Sequence, residues 1–233
     1  MDYALDEAEF RTPRGSAARF RYRIGTNDWN TLTSCLTEDE YELRPLAVTG
    51  HAVDIGGYLG GVGIGLAIDN PGLRVTIIEP VPPNVDLIRW AIDANGLRDR
   101  VTLLDKAAGG PKDKTTVISY GYRGTPMLEH HAFVGNSSLA SDAVTPNAHD
   151  ERTVACVALG ALGDIDFLKI DCEGCEWSVL TDPAVRRIGR IHGEWHNTGG
   201  HSRDDLLALL VASHDVTFSG PIEGPGGFAA VLR

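Results

Sequence analysis

Two acidic residues and a histidine near the ends of two predicted strands have the chemistry needed to activate an alcohol. Asp171 ends the apolar run "FLKID", and Glu194 and His196 lie in "HGEWHN", at or just past the end of the next strand. Adjacent parallel strands bring such ends together, and two carboxylates with one imidazole could bind Mg²⁺ or Mn²⁺. Without a metal, His196 could be a general base whose tautomer Glu194 or Asp171 holds. The sequence therefore predicts a catalytic site here, with both mechanisms open.

Lys169 joins this predicted site because side chains alternate along a strand and it shares a face with Asp171. It could orient Asp171 or the acceptor. A purely structural interpretation also stays open. In that case Asp171 and Glu173 would cap a helix that begins near Gly174, and the other two candidates would be surface loop residues.

A glycine-rich turn predicts a second functional site. In "VDIGGYLGGVGIG" the strand ends at Asp54, Gly56 and Gly57 form the turn, and Gly60 lies where a helix begins. Such a turn lets a ligand approach backbone N–H groups at the helix N-terminus. Neither the dinucleotide fingerprint nor the P-loop pattern is met. The turn is therefore predicted to bind a cofactor without phosphates, and S-adenosylmethionine fits because its ammonium needs a carboxylate and its carboxyl group needs amides.

The ends of the next two strands extend this predicted nucleoside site. Glu79 ends "VTIIEP", where an acidic residue can accept hydrogen bonds from both ribose hydroxyls, and Pro80 follows it. In "LLDKAA", Asp105 could accept from the adenine amino group, with Lys106 and Ala107 beside it. The alternative is that the glycines only allow tight packing and that Glu79 is a solvated strand end.

Composition and patterning restrict the class of protein. The 233 residues include 32 acidic and 21 basic ones, for a net charge of −11, which would repel nucleic acid. No N-terminal apolar segment or long apolar run appears, so we expect a cytoplasmic protein without a membrane partner. Its predicted partner is a small-molecule or oligosaccharide acceptor, and a homo-oligomer is compatible with the sequence. All four cysteines are expected to be reduced thiols: Cys35, Cys156, Cys172 and Cys175.

From residue 51 onward, apolar strand-like runs alternate with helical patterns, which predicts an α/β fold. The sheet should be mostly parallel, with helices on both faces and an antiparallel pair of strands at the C-terminus. Residues 1–45 are predicted to contain one strand and one or two short helices and to form an N-terminal cap or lid of the same domain, with residues 46–233 as its α/β part. The loop at 121–150 could close over the acceptor, and it contains His130, His131, His149, Ser137 and Ser138.

Four segments resemble the FkbM family of S-adenosylmethionine-dependent methyltransferases. They are "VDIGGYLGGVGIGLA", "IEPVPPNVDLIRWAIDANGL", "VTLLDKAAGG" and "DFLKIDCEGCEWSVL", and the last is similar to the family signature K-I-D-x-E-G-x-E-x-x-V-L. The resemblance implies a Rossmann-like class I methyltransferase fold. It also implies that the cofactor is held by Asp54, Gly56, Gly60 and Glu79, with Asn27 and Asp28 reaching it from the cap.

The resemblance further implies methylation of hydroxyl groups, because family members typically act on sugars, glycolipid or polysaccharide units, and polyketides. We expect O-methylation of a sugar, glycoside or oligosaccharide, assisted by a divalent metal. A polyketide or another small natural product is the alternative acceptor. A nucleoside-binding module without catalysis is the alternative from a different class. The "CEGC" motif has the spacing of a thioredoxin-like redox site, but it lies inside the methyltransferase signature, and small residues packing at a helix start explain it better.

Overall fold

The computed structural model describes residues 4–120, 133–135, 150–220, 224 and 226–233. These residues form two compact units that divide between Asp105 and Lys106. The loop residues singled out from the sequence, which are His130, His131, His149, Ser137 and Ser138, lie outside the described residues.

The first unit begins with an antiparallel hairpin of β1 (Leu5–Arg11) and β2 (Ala17–Arg23). A short helix, α1 (Asp28–Leu32), and one π-helical turn (Thr33–Thr37) follow. Ala18 and Phe20, two positions apart on β2, are buried and the residue between them is exposed, which is the spacing expected of a strand with one covered face. The structure therefore has two strands in this segment, where the sequence predicted one.

Three parallel strands and two helices make up the rest of the first unit within its described residues. The strands are β3 (His51–Ile55), β4 (Arg74–Ile78) and β5 (Val101–Leu104), and β4 pairs with both of the others. The connections are α2 (Gly61–Asp69) and α3 (Pro82–Ala94). Four consecutive residues of both β3 and β4 are buried, as is typical of parallel strands with both faces covered.

The second unit contains a small sheet in the order β6 (Ala107–Ala108), β9 (Asp150–Val157), β7 (Thr115–Tyr120) and β8 (Phe133–Gly135). It also contains the parallel pair β10 (Phe167–Ile170) and β11 (Arg190–Trp195). The C-terminal strand β13 (Gly226–Leu232) runs antiparallel to β11 and to β12 (His214–Phe218).

Two short α-helices belong to the second unit. The helix α4 (Glu176–Val179) follows β10. A separate 3-10 helix (Pro183–Arg187) comes after it, because a proline cannot continue an α-helix. The helix α5 (Arg203–Leu210) begins at a capping box between Ser202 and Asp205.

The predicted fold class is confirmed. Parallel strands alternate with helices, and the chain ends in an antiparallel pair of strands, as expected of a Rossmann-like class I methyltransferase fold. Residues 4–45 pack in the same unit as residues 46–105, and the predicted cap boundary stays a prediction. Within the part of the chain that the structure describes, no helix is long and apolar enough to cross a membrane.

Candidate active site

Two buried carboxylates lie where neighbouring strands of the first unit end. Asp54 on β3 is 1% exposed, and its Oδ2 accepts a hydrogen bond from the N–H of Gly63 at 2.8 Å. Glu79 directly follows β4 and is 3% exposed. Its Oε2 accepts from the N–H of Tyr58 at 2.8 Å and its Oε1 from the N–H of Val81 at 2.9 Å. Backbone N–H groups thus hold both carboxylates in place.

The glycines between these carboxylates have two different roles. Gly56 and Gly60 have φ angles of +74° and +83°, which favour glycine and which form the predicted turn. Gly57 instead lies against β4, since a Cβ there would be 2.3 Å from Cγ2 of Ile77. The N–H groups of Gly56 and Gly57 both donate to the carbonyl of Ile78, at 3.1 and 3.2 Å. Tight packing therefore accounts for Gly57, while turn geometry accounts for the other two.

A buried polar network connects the N-terminal segment to Glu79. The Arg23 guanidinium forms an ion pair with Asp28, at 2.7 Å from Nε to Oδ2, and its Nη1 donates to Oδ1 of Asn84 at 2.9 Å. Asn84 Nδ2 donates to Glu79 Oε1 at 3.3 Å. The Tyr58 hydroxyl donates to Asp28 Oδ1 at 2.6 Å, which closes the ring. We call these five residues the Arg23–Glu79 network.

Asp28 is ionised within this network. Burial by itself raises the pKa of its carboxyl group, but hydrogen bonds and charge from Arg23, with the Tyr58 hydroxyl, hold that pKa below its usual value. The Asp28 oxygens thus accept hydrogen bonds from Arg23 and Tyr58. The neighbouring Asn27 is exposed. The predicted contact of both residues with a cofactor stays a prediction. The roles of Arg23, Tyr58 and Asn84 were missed because no motif distinguishes them in the sequence.

The segment predicted to face adenine begins directly after β5. Asp105 and Lys106 are exposed, and Ala107 is buried in β6. Pro80 is buried after Glu79. Their part in cofactor binding stays a prediction.

In the second unit, two acidic side chains lie close to the ring of His196. Its Nε2 lies 3.3 Å from Oε2 of Glu173 and 4.0 Å from Oδ1 of Asp171. One ligand atom of each residue lies within 4.8 Å of the others, a spacing that could hold a metal ion. We call Asp171, Glu173 and His196 the acidic–histidine cluster. Its second carboxylate is Glu173, where the sequence predicted Glu194.

The turn after β10 explains why Glu173 occupies this position. Glu173 and Gly174 have φ angles of +57° and +111°, so the chain leaves the extended conformation there. The helix α4 has Cys175 at its N-cap and no side-chain capping bond. The structural interpretation in which Asp171 and Glu173 cap a helix is therefore wrong.

The other two predicted catalytic residues lie on the strands themselves. Lys169 on β10 is buried, and its Nζ lies 4.0 Å from Oδ2 of Asp171, as their shared face predicted. Glu194 is half-buried on β11 and is paired in register with Gly227 on β13. A catalytic role for either residue stays a prediction.

A third carboxylate, Glu176, contacts His196 from the protein interior. Glu176 is 0% exposed, and its Oε1 lies 2.7 Å from Nδ1 of His196. Burial alone lowers the pKa of His196, but hydrogen bonding and charge from Glu176, then the charges of Glu173 and Asp171, raise it to about 9. The surrounding carboxylates therefore favour a positive charge at this position. Glu176 was not predicted from the sequence, although it is the second glutamate of the K-I-D-x-E-G-x-E signature.

The expectation of four reduced thiols is wrong for two of the cysteines. Cys172 and Cys175 form a disulfide, while Cys35 and Cys156 are thiols. The turn between Cys172 and Cys175 brings their Cα atoms to 5.5 Å, a separation that a disulfide can bridge. The disulfide closes the short segment that carries Glu173.

Comparison with known proteins gives a family match over most of the chain. The model of the methyltransferase FkbM domain matches residues 55–218. No curated protein matches the chain. Among solved structures, the chain is similar to precorrin-6Y C5,15-methyltransferase from Geobacter metallireducens GS-15, at 17% identity over 81% of this chain and 82% of that one, with a TM-score of 0.47. It is also similar to an O-methyltransferase from Bacillus cereus in complex with S-adenosylhomocysteine, at 18% identity over 78% and 74% of the two chains, with a TM-score of 0.42.

Proposed function

Because the chain belongs to the FkbM methyltransferase family and is an S-adenosylmethionine-dependent methyltransferase, we propose that it methylates a hydroxyl group of a sugar, glycoside or oligosaccharide. We further propose that Mg²⁺ or Mn²⁺, held by Asp171, Glu173 and His196, assists the transfer. The proposed metal site rests on one observation, namely that the three ligand atoms lie within 4.8 Å of one another. The sugar acceptor follows from the chemistry that is typical of the family.

The donor set of the acidic–histidine cluster fits a hard divalent cation. Two carboxylates provide oxygen ligands and His196 provides one imidazole nitrogen, a combination suited to Mg²⁺ or Mn²⁺. When bound, such a cation lowers the pKa of a coordinated hydroxyl group. This matters because methyl transfer to an alcohol requires loss of the hydroxyl proton, and a sugar hydroxyl is a very weak acid.

The chain's own residues have further tasks in this proposal. In this proposal an oxygen of Asp171 or Glu173 that does not bind the cation accepts the hydroxyl proton of the acceptor. The acceptor oxygen bonds to the methyl carbon while the bond from that carbon to the cofactor sulfur breaks, which releases S-adenosylhomocysteine. Lys169, buried 4.0 Å from Asp171, restrains that carboxylate. Correct placement of the reacting atoms supplies much of the rate acceleration in an in-line displacement. A cluster whose side chains are held in place therefore favours the transfer.

For the cofactor, we propose that Asp54 and Glu79 accept hydrogen bonds from its ammonium group and its ribose hydroxyls. The chemistry is complementary, since both residues are buried acceptors at strand ends and these cofactor groups are donors. The turn at Gly56, Gly57 and Gly60 then lies beside the amino acid part of the cofactor.

Replacing Glu79 by Gln tests the proposed cofactor site. We expect the dissociation constant for S-adenosylhomocysteine, measured by calorimetry, to rise about 10- to 100-fold. Loss of a hydrogen bond to a charged group costs roughly 1.5–3 kcal/mol, which corresponds to that range. The control is Asp86→Asn, which removes an exposed carboxylate from α3. Unchanged affinity in a folded Glu79→Gln protein would exclude Glu79 from the site.

An acceptor panel with labelled cofactor tests the proposed reaction. It contains sugars and glycosides, hydroxylated polyketides and RNA, each assayed with EDTA and with added Mg²⁺. We expect label on a sugar hydroxyl, lost with EDTA and restored by Mg²⁺. Label only on a polyketide or on RNA would overturn the sugar acceptor. Full turnover after chelation would overturn the metal and favour a metal-free general base; His196 acts as that base only in its deprotonated form, which its raised pKa makes the minor form at neutral pH. Cofactor binding without transfer to any acceptor would indicate a non-catalytic nucleoside-binding module.

A further inference from the structure

The buried carboxylate of Glu176 contacts two groups of His196, the backbone N–H and the ring nitrogen Nδ1. We infer that Glu176 is a positioning residue that holds the His196 ring with Nε2 directed at Asp171 and Glu173. This inference rests on the proposed metal site, because Nε2 is the nitrogen offered to the cation. It assigns a role to a residue that the sequence analysis did not select.

The contacts determine which nitrogen of the His196 ring keeps its proton when the ring is neutral, the form in which it binds a metal ion. Glu176 Oε1 lies 2.7 Å from Nδ1 of His196 and accepts the backbone N–H of the same residue at 2.8 Å. A carboxylate oxygen only accepts hydrogen bonds, so Nδ1 must be the donor. In the neutral ring the lone pair is then at Nε2, on the side of Glu173. Carboxylates that bind metal-ligating histidines in this way fix the tautomer and make the imidazole a better ligand.

The second oxygen of Glu176 connects His196 to the other ligands of the cluster. Oε2 accepts the N–H of Gly174 at 2.9 Å, immediately after Glu173 in the chain. Gly174 also lies against the loop that follows His196, since a Cβ there would be 2.7 Å from Oγ1 of Thr198. The buried side chain of Glu176 thus holds both the turn that carries Glu173 and the ring of His196 in position.

The backbone of His196 is held from the opposite side as well. Trp177, the residue after Glu176, donates from Nε1 to the carbonyl of His196 at 2.8 Å. Its indole ring stacks on His201, with ring centroids 4.4 Å apart. Residue 196 is therefore bound at its N–H, at its carbonyl and at Nδ1, which leaves Nε2 as the ring nitrogen that faces the cluster.

A Glu176→Gln substitution in the full chain separates positioning from packing, because the side chain keeps its size and loses its charge. The probe is Mn²⁺ alone, titrated and followed by electron paramagnetic resonance. We expect Mn²⁺ affinity to fall about 10- to 100-fold, the usual effect of removing such a carboxylate partner. The control Asp204→Asn also removes one negative charge, from the exposed first turn of α5, and should bind Mn²⁺ like the wild type. Equal affinity in wild type and folded Glu176→Gln overturns the inference and leaves the proposed metal site intact.

A second measurement needs no metal and no variant. In the wild-type protein labelled with ¹⁵N-histidine, the Nδ1–H proton of His196 should exchange slowly with water, because a buried carboxylate accepts it. Rapid exchange at Nδ1 overturns the inference even if Glu176→Gln does not fold. Absence of Mn²⁺ binding by the wild type, together with a protected Nδ1–H, would remove the metal from the proposed function while the positioning role of Glu176 stands.

Discussion

Glu173→Gln is expected to lower kcat/KM by on the order of 100-fold or more at a fixed Mg²⁺ concentration, and Asp171→Asn by a similar factor. Each substitution removes one of the two carboxylates of the acidic–histidine cluster, so the cation loses an anionic ligand. The initial rate of labelled methyl transfer, measured at saturating cofactor, provides the check. Because a ligand defect is partly relieved by mass action, activity should recover in part at high Mg²⁺ concentration.

The comparison with Glu194→Gln makes this prediction specific to the structure. Strand-end positions alone favour Glu194 as the second carboxylate, whereas the geometry places Glu173 at 3.3 Å from Nε2 of His196. We therefore expect the loss in Glu173→Gln to exceed the loss in Glu194→Gln by at least tenfold, about 1.4 kcal/mol in activation free energy. The opposite order would show that Glu194 is the ligand and that the turn after β10 has a structural role.

Asp28→Asn is expected to lower the free energy of unfolding by about 3–5 kcal/mol. The substitution leaves the fully buried guanidinium of Arg23 without its counterion, and breaking a buried ion pair from one side has an effect of this size. Denaturant titration followed by circular dichroism measures the difference. The control Glu9→Gln breaks a surface ion pair with Arg11, whose side chains are more than half exposed, and should change stability by less than about 1 kcal/mol. Similar values for both variants would contradict a stabilising role of the Arg23–Glu79 network.

The pH dependence of this effect has a definite sign. The pKa of Asp28 is lowered in the folded protein, so its ionised form contributes stability that is fully present above the ordinary aspartate pKa, about 4. That contribution is lost as the pH falls through the lowered value. The stability difference between wild type and Asp28→Asn should therefore be constant near neutral pH and shrink in acid. A difference that grows in acid would be inconsistent with the ion pair.

Much of the fold could be predicted because its determinants are local. Period-two and helical patterns located β3, β4, β5, β10 and β11 and the helices between the first three of these strands. Where a strand ends, the next side chain is placed by that strand alone, so Asp54 and Glu79 were found at the ends of β3 and β4. The N-terminal hairpin was the main error in the elements, because charged residues on its exposed face hid one of the two strands.

Such sequence patterns could not predict which residues form the acidic–histidine cluster. The assumption that the candidate residues follow extended strands favoured Glu194, but the left-handed backbone at Glu173 turns the chain after β10. The Cys172–Cys175 disulfide lies in the same turn and was missed, because the expected location of a protein indicates the redox state of its cysteines only on average.

The sequence by itself determined the alternation of strands and helices, the buried carboxylates at two strand ends and the membership of a methyltransferase family, since each is encoded in residues close along the chain or in a contiguous motif. Only the tertiary structure decided that Glu173 and Glu176 flank His196 and that Arg23 reaches Asn84. Those contacts join residues up to 61 positions apart, and hydrogen bonds between such distant residues depend on how the whole chain folds. A sequence pattern does not specify such distant contacts, whereas the close-packed interior of the folded chain fixes them.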